Sequence, residues 1–175
     1  MAVAVMLLMP GAVEAQAQSW QDMQVEGIET MKDKFIGLAG AFDESQYDWR
    51  PMEGVRSVRE VLGLAVAEAN MFPTGWGFQP GPGATGNWNT EMPRAGALGK
   101  AEMLEQLETS FDYLIGVVRG MDDGARMATG RNWTGKSAPM HANIALAMTD
   151  MHEHLGQLIA YARSNEVVPP WSQGG

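Results

Sequence analysis

Three histidines, His141, His152 and His154, and no cysteine set the limits of the chemistry this 175-residue chain can do. Disulfides, thiolate zinc sites and cysteine nucleophiles are excluded, so a metal has to be held by His, Asp, Glu or water. His152 and His154 stand two apart on a helical segment and point about 200° apart, so they cannot share one ion. Asp150 and His154 stand four apart and lie on one face, a spacing that chelates a divalent metal from a single helix. The same spacing equally suits an i,i+4 hydrogen bond on a polar helix face. A third donor has to come from another helix, and Glu68, beside Ala65, Ala69 and Phe72, is the candidate. A carboxylate in that place is expected at the bundle rim, in solvent, or else paired. There is no Gly-x-Ser-x-Gly elbow, phosphate loop or dinucleotide fingerprint, and the Gly-rich stretch Gly81–Thr85 does not join a strand to a helix.

Four helical segments must position these side chains. Val25, Ile28, Met31, Phe35, Leu38 and Phe42 recur at three- and four-residue steps and predict a helix from about Ser19 to Phe42. The second starts at Ser57, where Ser57 and Glu60 form a capping box, and Pro73 stops it. The third runs from about Gly99 to Met121, with Met103, Leu107, Phe111 and Leu114 on its apolar face. The fourth runs from about Pro139 to Ser164, with Ile144, Ala147, Met151, Leu155 and Leu158 facing inward. No segment alternates as a strand over five or more residues. The class is therefore all-α, a four-helix bundle. Two long connections interrupt it. Thr74 to Leu98 is rich in Gly and Pro and carries Trp76, Phe78 and Trp88, and Asp122 to Ala138 carries Trp133. Tryptophans need burial, so the first connection is expected to pack over one end of the bundle, covering a pocket or a partner.

With 45% hydrophobic and 19% charged residues the chain is globular rather than disordered. Its net charge of −9 repels phosphate backbones and argues against a nucleic-acid partner. Met1 to Met9 are apolar, Pro10-Gly11 break the run, and Ala15-Gln16-Ala17 is a small-x-small sequence. The expectation is a signal peptide over 1–17 and a single domain over 18–175, periplasmic or otherwise exported, with no stable membrane span after cleavage.

Tyr47-Asp48-Trp49-Arg50-Pro51 followed by Gly54-Val55-Arg56-Ser57-Val58-Arg59-Glu60-Val61-Leu62 resembles the first signature of the DinB-like family. The second is His152-Glu153-His154-Leu155-Gly156-Gln157-Leu158-Ile159-Ala160-Tyr161-Ala162-Arg163, with Val167-Val168-Pro169-Pro170-Trp171-Ser172 after it. The resemblance spans about Gln18 to Ser172. It implies an up-down-down-up four-helix bundle, often a homodimer, whose relatives include metal-dependent thiol transferases and hydrolases. The family's triad implies one ligand on the second helix and two, four apart, on the fourth. The last falls on His154 and the one before it on Asp150, which is still able to ligate. The first falls on Leu64, or on Ala65 if the helix is aligned from Asn70, and neither binds metal. Glu68, one turn on, would restore a third ligand. The resemblance also suggests a structural His152 bonded to a loop, and Arg50 and Arg56 tying the connection between the first two helices to the bundle.

Two readings remain. The first is a cell-envelope binding or structural module, taking a small molecule or a second copy, with aliphatic side chains facing a lone His154 and no cofactor. The alternative is a metal-dependent hydrolase or thiol transferase with nickel, zinc or iron, weakly bound, at Glu68, Asp150 and His154.

Overall fold

The computed structural model describes residues 19–172, so the expected leader over 1–17 lies outside the described residues. Four long helices form the bundle: α1 (Trp20–Ala41), α2 (Val58–Met71), α4 (Lys100–Arg119) and α6 (Met140–Ser164). Two short helices, α3 (Trp88–Ala95) and α5 (Asp123–Met127), sit in the connections, and β1 (Thr129–Arg131) pairs antiparallel with β2 (Ser137–Pro139). The ends of the helices follow their capping chemistry. The Ser19 hydroxyl accepts from the Asp22 N–H, and Ser57 with Glu60 forms the full capping box.

Cross-links between helix ends give the directions. Gln21 Nε2, at the start of α1, donates to the carbonyls of Val118 and Met121 at the end of α4, at 2.7 and 2.8 Å. At the far end Lys100 Nζ donates to the carbonyls of Gly40 and Phe42, at 2.9 and 2.6 Å. These helices are antiparallel, and Lys32 pairs with Glu108 and Asp112 between them. Trp20 meets His141 edge-on, so α1 and α6 start at the same end. The Tyr161 hydroxyl, late in α6, donates to the Arg56 carbonyl just before α2, at 2.9 Å. The bundle is thus up-down-down-up, as the family resemblance implies.

α2 is the innermost helix. From Val61 to Met71 every residue is buried, because α4, α6 and α3 all pack on it. Such a helix is apolar on nearly every side, with small residues where neighbours come close. Gly63 is the extreme case: a Cβ there would lie 2.6 Å from the backbone of Ala95 at the end of α3.

The connections do more than periodicity predicts. α3 contains Pro93 and is too short to show a stripe, and the hairpin strands are three residues each, below the length at which alternation is legible. Both connections converge on Phe72 at the C-terminal end of α2. Trp88 lies 5.7 Å from its ring and Trp133 stacks on it at 4.5 Å. The expected packing holds for Trp76, which is buried, while Trp133 keeps 40% of its surface exposed.

The close approach at Gly63 predicts that Gly63→Ala destabilises the protein. Ala would ordinarily strengthen a helix by about 1 kcal/mol. Here overpacking against the α3 backbone, of about 1–3 kcal/mol, should outweigh that gain. Urea denaturation should show a lower midpoint with the slope unchanged.

Candidate metal centre

The seam between α2 and α6 brings together the three side chains singled out from the sequence. Glu68 Oε1 lies 3.0 Å from His154 Nε2, and Asp150 Oδ2 lies 3.8 Å from the same nitrogen. One ligand atom from each of the three falls within 4.8 Å of the others. Asp150 and His154 share a face of α6 because they are one turn apart. Their exposure falls between buried and open, so the group sits just below the surface.

Glu68 is not at a solvated rim. It is 3% exposed, because α2 is enclosed along its length and leaves no rim for a side chain at this position. The expectation of a lone imidazole facing aliphatic side chains is corrected as well. The α2 side chain that meets His154 is Glu68, one turn beyond Leu64.

Burial governs the electrostatics. It pushes the Glu68 carboxyl up to about 7, against the pull of the hydrogen bond and charge of His154, and Asp150 pushes it further up. Burial pulls His154 down, but the hydrogen bond and charge of Glu68, joined by Asp150, outweigh it and hold the imidazole above its ordinary value. Arg56 opposes that rise. The pair therefore retains protons to higher pH than its isolated members.

This donor set fits a divalent cation. Among the described residues Glu68 Oε2 is buried without a hydrogen-bond partner, a cost that an ion or a proton would remove. Two carboxylates and one imidazole also match a doubly charged ion in charge. A tetrahedral ion with ligands at about 2.0–2.2 Å holds them about 3.3–3.6 Å apart, so small side-chain movements from the present separations suffice.

The other polar residues play lesser parts. His152 is exposed, and its Nδ1 lies 2.7 Å from the Met148 carbonyl of its own helix rather than against a loop. His141 packs on Trp20, far along α6 from the centre. Arg50 does tie down the connection between α1 and α2, through the Val55 carbonyl and Glu60. Arg56 does so only through its backbone carbonyl. Its influence on His154 had no sequence signal, since the two lie 98 positions apart with no shared motif.

Comparison with known proteins agrees with this architecture. The model of the DinB superfamily matches residues 28–158. YfiT from Bacillus subtilis, described as a probable metal-dependent hydrolase with an unusual four-helix bundle topology, superposes with a TM-score of 0.65 at 16% identity, covering 92% of this chain and 95% of that one. A mycothiol-dependent maleylpyruvate isomerase superposes with a TM-score of 0.59 at 14% identity, covering 79% of this chain. The match spans 60% of the isomerase's length. No curated protein matches the chain significantly.

The raised proton affinity of Glu68 and His154 predicts a pH-dependent stability when metal is withheld. Groups that bind protons more tightly folded than unfolded stabilise the fold at low pH, and that stability is lost as pH rises through their folded values. For Glu68 the window runs from the ordinary carboxylate range to about 7, and His154 extends it upward. In chelator, the thermal midpoint of the wild type should fall from about pH 5 to about pH 8. Glu68→Gln, which cannot ionise, should flatten that fall, and an equally steep profile in the variant would contradict the assignment.

Proposed function

This chain belongs to the DinB superfamily, and on that premise we propose that Glu68, Asp150 and His154 bind one divalent cation and serve a hydrolase or group-transfer reaction. The observation that carries the reading is the Glu68 carboxylate. It is buried against His154, beside a second carboxylate, with one oxygen left unpartnered. A seam that gathers negative charge and desolvates it destabilises itself, an arrangement typical of functional centres. When bound, such a cation supplies Lewis acidity that lowers the pKa of a nucleophilic water or thiol. The protein's own part is to fix the donors. Asp150 and His154 come from one rigid helix and Glu68 from the innermost one, so the three are held without reliance on a loop. The relatives support the reading, since YfiT is described as a probable metal-dependent hydrolase.

A second reading has an observation of its own. Glu68 and His154 already pair directly, at 3.0 Å. A pair of that kind can close the seam by itself, and the chain would then be a binding or structural module without a metal. The charge count favours the first reading, because a single imidazolium balances only one of the two carboxylates that meet it.

Metal analysis separates the two. Protein purified without chelator and dialysed against zinc, nickel, manganese or ferrous iron should retain about one equivalent per chain of at least one of them. Removing the imbalanced donor nitrogen in His154→Ala should weaken binding by about 100-fold, on the order of 3 kcal/mol. Asp150→Asn should weaken it by less while leaving the fold intact, since Asp150 is partly exposed. Retention of under about a tenth of an equivalent of every ion by the wild type would leave the module reading standing.

A further inference from the structure

We propose that the aromatic cavity at the C-terminal end of α2 is a second binding site, and that it takes the quaternary ammonium group of a small molecule. The site is separate from Glu68, Asp150 and His154 and does not depend on how that centre is read.

Three observations point to this ligand. The first is the wall. Phe72, Trp76, Trp88 and Trp133 border a cavity of about 160 Å³, and no charged side chain lines it. The rings come from the end of α2 and the turn after it, from the start of α3, and from the loop of the hairpin. The face of an aromatic ring is electrostatically negative and attracts a cation within about 6 Å of its centroid, tryptophan most strongly. Sites for drug-sized molecules run from about 300 Å³ upward, so this cavity suits a single head group.

The second is how the chain treats its other rings. Lys34 lies 5.8 Å from the Trp171 ring, Arg126 5.8 Å from Trp20, and Arg59 5.3 Å from Tyr47. Among the described residues no lysine or arginine lies over the four rings of the cavity. The Phe72–Trp133 stack occupies one face of each of those two rings, and Trp76 is stacked on no other described ring.

The third is hydrogen bonding and charge. The Thr74 hydroxyl donates to the Met71 carbonyl at 2.7 Å, and Asn132 Oδ1 accepts from the N–H groups of Thr134 and Lys136 at 3.0 and 3.1 Å. A primary ammonium would give up its water here for acceptors that are already engaged. A fully alkylated nitrogen carries the charge and has no hydrogen to donate, so it escapes that cost. The last carbonyls of α2 place the negative end of the helix dipole at the cavity, and the net charge of −9 draws cations to the protein. Arg131 and Lys136 on the hairpin oppose this, but both are exposed, where water and salt screen them.

The test is a titration followed through the indole N–H resonances of the six tryptophans, in chelator throughout so that metal plays no part. Choline chloride should shift the Trp76, Trp88 and Trp133 signals and saturate with a Kd below about 10 mM. Its neutral isostere 3,3-dimethylbutan-1-ol, and ammonium chloride, should each bind at least about tenfold more weakly. Trp133→Leu keeps an apolar side chain and removes a ring, and should weaken choline at least about tenfold. Trp133→Phe should lose less, and Trp171→Leu should bind as the wild type does. The proposal is overturned if the alcohol binds as well as choline, or if choline moves the Trp20, Trp49 or Trp171 signals instead. It is equally overturned if choline does not saturate, or if a folded Trp133→Leu binds it like the wild type. Should Trp133→Leu fail to fold, the wild-type comparison of choline with the alcohol decides alone. Absence of choline binding leaves the metal reading standing, and absence of metal leaves this one.

Discussion

A carboxylate on the innermost helix is the constraint around which the bundle is arranged. An unpaired charge in such a place costs several kcal/mol, so Glu68 must be met by a partner whose position is fixed. That partner is His154, and the fold holds the two in register from both ends of the seam. At one end Tyr161 bonds the Arg56 carbonyl and Trp49 packs edge-on to its ring. At the other the hairpin connection lays Trp133 on Phe72, one turn beyond Glu68. A slip of one residue in either helix would point Glu68 into aliphatic surroundings.

The pair alone is a poor way to stabilise a bundle. Replacing a buried ion pair by well-packed apolar side chains is often neutral or stabilising, and the rest of α2 shows how readily this seam accepts alanine and valine. The centre instead adds a second carboxylate, which raises the proton affinity of both its neighbours. Each addition makes the metal-free state less favourable and the seam better suited to a cation. Stability and recognition pull in opposite directions here, and the arrangement follows recognition.

Much of this was legible in the sequence, and the part that was not has a physical reason. The four long helices announce themselves through apolar stripes and through the Ser57–Glu60 box, and Asp150 and His154 share a face by spacing alone. Glu68 could be named as a donor but not placed. Periodicity phases a helix only when one side of it is polar, and α2 from Val61 to Met71 is buried on all sides. The family's ligand position was carried onto Leu64 or Ala65 with the same ambiguity, since a run of small apolar residues offers several equivalent alignments. α3 and the three-residue strands escape notice because they are held by tertiary contacts, at Gly63 and at Phe72, and not by local pattern.

The two ends of the seam also differ in chemistry, and that difference bears on how anything reaches the centre. Beyond Glu68 the way is lined by Phe72, Trp133 and Trp88, whose rings border a small cavity of about 160 Å³ that carries no charged side chain. Toward the start of α2 lies an open cleft walled by Arg50, Glu60, Met92 and Pro93, none of them a member of the centre. An anion approaching this acidic protein meets a repulsive field over most of the surface. That repulsion falls off within about 10 Å at ordinary salt. Discrimination at the seam is therefore a matter of contact geometry and not of steering.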